Sequence, residues 1–366
     1  MQQKVRPILL ALNTRPFDDP APEVFRQIAE APGVRVVRLE AMMLDDVEAL
    51  VCQRLGVRSI PPAIGRLIRE KSEGHPFFAE ELAYALRDSG ILIVEEQEAR
   101  INEQFGDLEH ISLPDTLQAA ITNRIDSLDP SQQLTLKVAS VIGRIFAFRV
   151  LQAIHPIESD KPALRAYMDT LTRLSLTLVE SEAPDLAYIF KHAVTQEVAY
   201  NLMLYSQRRQ LHQAVAEWIE GSSEANLESF YPLLAHHWSQ AAEIPDAARN
   251  RHAMQKAVEY LDKAGEQAME NFANREAIQF FTQAIQWEEE LPKPVRRDEV
   301  DDRRLRMVRR HNKIALAYYG LGLFVDSDRY IRDGLRVMRH PLPRSQAEFA
   351  LRLLRQILQQ VGAQGS

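Results

Sequence analysis

Three short stretches carry side chains whose types suit the recognition of a flat ring and attached anionic groups. In "SEGHPFFAEEL" (Ser72–Leu82), Gly74 can take the left-handed conformation that ends a helix, and it lets another group approach the backbone closely. Pro76 suits the first position of the next helix and forces His75 to be extended. The pyrrolidine edge presented there can pack on an adenine ring. The same Gly-x-Pro pattern also serves as an interhelical corner with no ligand. "NTR" (Asn13–Arg15) follows the apolar run "PILLALN". The end of a parallel strand is where α/β sheets bind ligands. Arg15 there can sense a terminal phosphate through charge-assisted bonds, or it lies in a solvated turn. His192 stands between a strand and a helix, where its ring N–H and the helix N-terminus can both face a phosphate; a cap or packing role is the other reading.

Other candidates carry less chemistry. His236 and His237 are neighbours on one helix, about 100° apart around its axis, so they are not expected to share a metal. No His-Glu-x-x-His and no cysteine cluster occurs, so no zinc site is expected. Glu80 and Glu81 read as a solvated helix face, and Cys52, on an amphipathic helix with no neighbouring base, as a core residue.

The elements that must position these residues follow from periodicity. "PILLALN" and "VRVVRL" read as buried strands on either side of the helix "APEVFRQIAEA", a single strand–helix–strand unit. One such unit makes no sheet with two covered faces, so the chain is expected to begin inside a fold. From Asp45 the period is helical. "DDVEALVCQRLG", "PPAIGRLIREKSEG" and "PFFAEELAYALRDSG" each carry helix punctuation, the last with Phe77, Leu82, Ala85 and Leu86 as its apolar face. Residues 91–112 alternate, as a hairpin or a connection does. Helix starts at Pro114-Asp115 and Asp129-Pro130 and a helix over 163–174 precede "LTLVESEAPDLAYIF", two strands joined by a Pro-Asp turn. Three helices and then a β-wing is the order of a winged-helix domain. Beyond His192 every segment is helical. "AVEYLDKAGEQAMENFANREAIQFFTQAIQW" pairs Gly265, Ala277 and Ala284 at close-packing positions around Phe281. A looser copy, "IALAYYGLGLFVDSDRYIRDGL", follows the charged linker "ELPKPVRRDEVDDRR". Such pairs need stacked neighbours to bury their faces, and the ending "GAQGS" offers no polar capping helix, so a longer array is expected.

In their order, "LLALNTRP", "EGHPFFAEELAYAL", "LPDTLQAAITNRIDSL", "LKVASVIGRIFAF", "FKHAVTQEVAYNLM" and "RRQLHQAVAEWIE" resemble the signal-transduction ATPases of the STAND class. The match is to the predicted ATPases joined to class III adenylate/guanylate cyclases or to LuxR-type regulators, and it runs from about Val5 to Ala242. The pairs beyond are similar to tetratricopeptide repeats. The resemblance implies that Arg15 reads the terminal phosphate, that Gly74, His75 and Pro76 form the adenine corner, and that His192 contacts the β-phosphate of ADP. It also implies a division into 1–44, the end of an α/β NTPase core; 45–112, a helical lid and connection; 113–205, a winged helix; 206–254, a helical linker; and 255–366, the repeats. The fold class is therefore mainly α with a small α/β N-terminal piece.

The family's Gly-x-x-x-x-Gly-Lys-[Ser/Thr] loop is missing, for no Gly-Lys pair occurs in this sequence. Its backbone N–H groups and Lys cradle the phosphates. The loop and the acidic pair that holds Mg²⁺ are expected upstream. Phosphoryl transfer is mostly positioning and electrostatics by that loop, its Lys and the metal, so ATP hydrolysis by this chain is not expected. Nothing reads as the sheet of a cyclase with its two metal-binding Asp residues. A net charge of -7 argues against a nucleic-acid-binding body, and "RIFAFRVLQAIHP", which would supply a reading helix, offers only Arg144, Arg149 and His155. Arg208-Arg209 and Arg309-Arg310 are read as salt-bridged or solvated helical pairs. One cysteine fits a reducing compartment, and no apolar run spans a bilayer, so a cytoplasmic protein is expected. Two functions fit these features: the regulatory half of an ATP/ADP switch with a cyclase output and a protein or peptide partner on the repeats, or a stand-alone helical adaptor binding a protein or peptide.

Overall fold

The structure, a computed structural model, describes residues 9–15, 17, 20–102, 104, 113–222, 224–243 and 250–338. It divides into two compact units, Met1–Ala120 and Ile121–Ser366. The ending "GAQGS" and most of the connection over 103–112 lie outside the described residues, as do the first residues of "PILLALN".

In the first unit, α1 (Glu23–Ala29) is the expected short helix, and it buries none of its residues. Neither expected strand forms among the described residues. Leu9 is 94% exposed and Leu39 93%. The reason is physical: a strand that is apolar on both faces needs neighbours on both sides, and one strand–helix–strand unit supplies none. The unit's core is instead built by α2 (Leu44–Leu55), α3 (Pro62–Ser72) and α4 (Pro76–Asp88) with the hairpin β1 (Leu92–Glu95) and β2 (Glu98–Ile101). Val47, Val51, Ile64, Ile68, Leu82 and Leu86 meet there. Gly56, left-handed at φ 70°, closes α2, and Pro62 opens α3.

Two details of α4 correct the sequence reading. Phe78, not Phe77, enters the core, since Phe77 is 46% exposed. Glu80 and Glu81 are buried, not solvated, because α4 is covered around most of its circumference and periodicity no longer marks an outer face. Tyr84 donates its hydroxyl to Glu80 Oε1 at 3.1 Å and Arg54 lies 3.3 Å from Oε2. Cys52 is half-buried against this core, and burial, then Glu48, push its thiol pKa up.

The second unit opens with α5 (Leu117–Asp126), α6 (Pro130–Ile142), α7 (Phe148–Ile154) and α8 (Leu164–Arg173). A three-stranded antiparallel sheet in the order β3-β5-β4 accompanies them: β3 (Ile145–Ala147), β4 (Thr177–Ser181) and β5 (Ala187–Phe190). The strand pair read from "LTLVESEAPDLAYIF" is present. Its third strand comes from "RIFAF", which the sequence reading had merged with a helix. Phe146, Tyr188 and Phe190 fill the space under the sheet, with Phe146 ring centroids 5.9 and 5.5 Å from the other two. His155 is buried, its Nε2 3.5 Å from Thr135 Oγ1, and Arg149 lies over the Trp218 ring at 5.8 Å.

Helices then follow in sequence: α9 (Ala193–Asn201), α10 (Tyr205–Ser222), α11 (Tyr231–Ala242), α12 (Arg251–Glu270), α13 (Asn274–Glu290), α14 (Arg297–Gly320) and α15 (Phe324–Val337). From α10 on, each packs against the next, a solenoid-like succession of helix pairs. Ala277, Ala284 and Phe281 are buried, and a Cβ on Gly265 would stand 2.8 Å from the Phe281 ring, so the small residue lets that ring seat. The expected charged linker is partly helix. Its Arg297–Arg304 portion opens α14, with Asp298 and Glu299 in the first turn, where acidic side chains favour the helix dipole.

Candidate functional site

The Gly-His-Pro corner is built from backbone constraints. Glu73 (φ 51°) and Gly74 (φ 75°) are both left-handed, which reverses the chain sharply after α3. The Met42 N–H donates to Gly74 O at 2.9 Å, and a Cβ on Gly74 would lie 2.5 Å from Met42 O. The close approach that Gly74 permits is thus used by the chain's own backbone. His75 is the N-cap of α4: its Nδ1 accepts the Phe78 N–H at 3.4 Å, and its ring sits 6.0 Å from that of Phe77. Pro76 opens α4, exposed to solvent, with His75 and Phe77 on either side of it also exposed. A flat ring can therefore be offered Pro76 and its aromatic neighbours; Gly74 has no room left for one.

Arg15 is exposed in a segment without strand structure, so nothing there fixes its guanidinium in space. His192 takes the N-cap position of α9, right after β5, as the sequence indicated. It is buried, and its side chain makes no capping bond to the helix. Pro76 and His192 belong to different compact units.

A cluster that the sequence reading missed lies between α10 and α11. His212 and His237 are 2% and 1% exposed, and their Nδ1 atoms face each other at 2.8 Å. His236 stands at the solvent rim, its ring centroid 5.6 Å from His212 and 5.2 Å from His237. Burial is the main cause that lowers both inner pKa values, to about 3 for His212 and about 2 for His237, so both imidazoles are neutral near pH 7. Tyr200 OH lies 3.0 Å from His212 Nε2 and donates to Gln240 Oε1 at 3.2 Å. The guanidinium of Arg208 covers the Tyr200 ring at 4.7 Å. The expectation that His236 and His237 diverge considered one helix only. A third histidine from the facing helix brings all three within reach of one another. Residues 212 and 236–237 become a signal only once α10 and α11 are known to pack side by side.

Comparison with known proteins gives sequence similarity over part of the chain. A domain of unknown function (DUF8739) matches residues 45–100, which span α2 to the β-hairpin. Adenylate cyclase type 10 of Rattus norvegicus is 24% identical over 258 residues, covering 58% of this chain and 16% of the cyclase. An uncharacterised protein of Rhizobium meliloti (strain 1021) is 25% identical over 215 residues, 58% of this chain and 19% of that protein. The chain thus spans less than a fifth of these relatives. A Signal Transduction ATPase with Numerous Domains (STAND) protein with a tetratricopeptide repeat sensor, from Pyrococcus horikoshii, aligns with TM-score 0.40 and 11% identity, over 84% of this chain and 43% of that one. The cyclase-associated resemblance read from the motifs is matched by the similarity to adenylate cyclase type 10.

Proposed function

We propose that the chain is the regulatory part of an ATP/ADP-dependent signal-transduction switch whose output is a nucleotide cyclase. Residues 45–112 act as the lid, 113–205 as a winged helix that closes on ADP, and 255–366 as repeats that receive a protein or peptide. Exchange of ADP for ATP opens the assembly; the phosphate loop and Mg²⁺ are contributed outside this sequence. The observation that carries this reading is the exposed Pro76 edge, held on a corner too constrained to move, with His75 and Phe77 beside it. A ring stacked there would be oriented without further ordering of the protein, which lowers the cost of binding. His192, at the N-terminus of α9, would add a hydrogen bond to a phosphate.

One observation favours the adaptor reading instead: Gly74 is needed by Met42, so the Gly-x-Pro corner has a structural use of its own. Equilibrium binding of a fluorescent ADP analogue to the protein purified from its own cells separates the two. Pro76→Ala and His192→Ala are each expected to weaken binding roughly tenfold, the order of one lost hydrogen bond to a charged group. Unchanged affinity in both folded variants would favour the adaptor.

A further inference from the structure

From the cluster between α10 and α11, we propose that His212, His236 and His237 form a transition-metal site that takes Zn²⁺, with solvent as the fourth ligand. This stands apart from the nucleotide reading. One nitrogen from each of the three rings lies within 4.8 Å of the other two. Zinc holds imidazole nitrogens at about 2.0–2.1 Å in a tetrahedron, which sets neighbouring donors about 3.3 Å apart. The His212–His237 pair at 2.8 Å therefore has to open by about half an ångström. His236, at the rim, has to swing inward, and its exposure leaves its side chain free to do so and gives the ion a way in.

Three further observations fit a cation rather than a packed trio. Two buried nitrogens pointing at each other repel unless something positive sits between them, either one proton or a metal ion. Burial keeps both rings in the neutral form that ligates metals. Finally, the outer side of His212 is arranged as a metal ligand requires. With Nδ1 on the metal, Nε2 carries the hydrogen and donates it to Tyr200, whose hydroxyl in turn donates to Gln240. Such a chain fixes the tautomer and aims the lone pair inward. Nε2 of His237 finds no hydrogen-bond partner, so nothing ties the hydrogen of that ring to one nitrogen. Arg208 is the opposing charge in the surroundings, drawn away over the Tyr200 ring. Three neutral imidazoles and a water form the donor set of an open zinc site, which could bind an exchangeable anion.

The rival arrangement is a single proton shared between His212 and His237, with His236 idle. Titration of the full chain, stripped with EDTA, with zinc chloride decides between them, with metal content measured after gel filtration. The expected result is one Zn²⁺ per chain at micromolar or tighter affinity, with Co²⁺ giving the visible absorption of a tetrahedral nitrogen site. His236→Ala, at the surface, should fold and bind roughly tenfold or more weakly, and His212→Gln should lose the metal. His252→Ala, an exposed histidine packed on Trp238, should bind as the natural chain does. Zinc should raise the melting temperature of the natural chain but not of His236→Ala, which keeps the test decisive if His212→Gln does not fold. No uptake, or uptake that His236→Ala leaves unchanged, would overturn the proposal.

Discussion

Replacing Glu288 by alanine is expected to cost about 3–5 kcal/mol of stability, the cost of breaking a buried ion pair from one side. Glu288 is 2% exposed and serves three arginines of α14. Its Oε2 accepts from Arg310 Nη1 at 2.9 Å, its Oε1 from Arg306 Nη2 at 2.9 Å, and Arg303 donates to its backbone carbonyl. Arg310, equally buried, also makes a two-pronged contact with Asp262 of α12, with both N···O distances 2.7 Å. Burial alone would push the Glu288 carboxyl pKa up, but the hydrogen bonds and charges of Arg306 and Arg310 outweigh it and hold the pKa below its ordinary value. The carboxylate is thus the common counter-ion that ties α13 to α14. Its removal leaves a cluster of cations facing one another, with Arg310 balanced by Asp262 alone. Glu288→Gln keeps the shape and some of the hydrogen bonds and should cost less. Glu288→Leu combined with Arg310→Met should recover much of the loss, because matched apolar side chains avoid desolvating charge. Urea unfolding followed by circular dichroism measures all three; a loss below about 1 kcal/mol in Glu288→Ala would mean that the network contributes as little as a surface pair.

Gly74→Ala is expected to destabilise the first unit by about 3 kcal/mol or more. The left-handed backbone at φ 75° costs a residue with a Cβ about 1–2 kcal/mol. That Cβ would also stand 2.5 Å from the Met42 carbonyl oxygen and 2.9 Å from its nitrogen. Both neighbours are backbone, so no flexible side chain can move aside, and overpacking of this kind costs a further 1–3 kcal/mol or so. Glu73 already occupies the left-handed region next to it, so the turn has little slack. The contrast with Pro76→Ala is informative. Pro76 is exposed at the first turn of α4, where alanine is a good helix former, and that variant should fold normally. A drop in the urea midpoint for Gly74→Ala with none for Pro76→Ala is the expected outcome; equal midpoints would contradict the role given to Met42.

How much of this could be read from the sequence depends on how local each feature is. The helix ends at Gly56, Pro62, Pro76 and Pro130 were legible, since glycine and proline act on their own backbone angles. The seat of Phe281 against Gly265 was legible too, because two successive helices of one hairpin set it. Features that depend on distant partners were not. Glu80 and Glu81 looked solvated because their sequence neighbours do not reveal that α4 is enclosed on nearly all sides. The strands expected before and after α1 failed for the opposite reason: their composition demands neighbours that the described chain does not provide. Arg309–Arg310 was read as salt-bridged or solvated, and for Arg310 the first is what holds. The histidine cluster needed the pairing of α10 with α11, which periodicity alone does not give.

The central claim is that this chain belongs to a nucleotide switch. It is tested most directly by isolating the natural gene product under native conditions, measuring its intact mass, and extracting any bound nucleotide. The account predicts a product heavier than the 366-residue chain that carries close to one ADP per molecule. A product that contains these residues and is free of nucleotide would contradict it, and the helix pairs from α12 onward would become the surface on which to look for a partner.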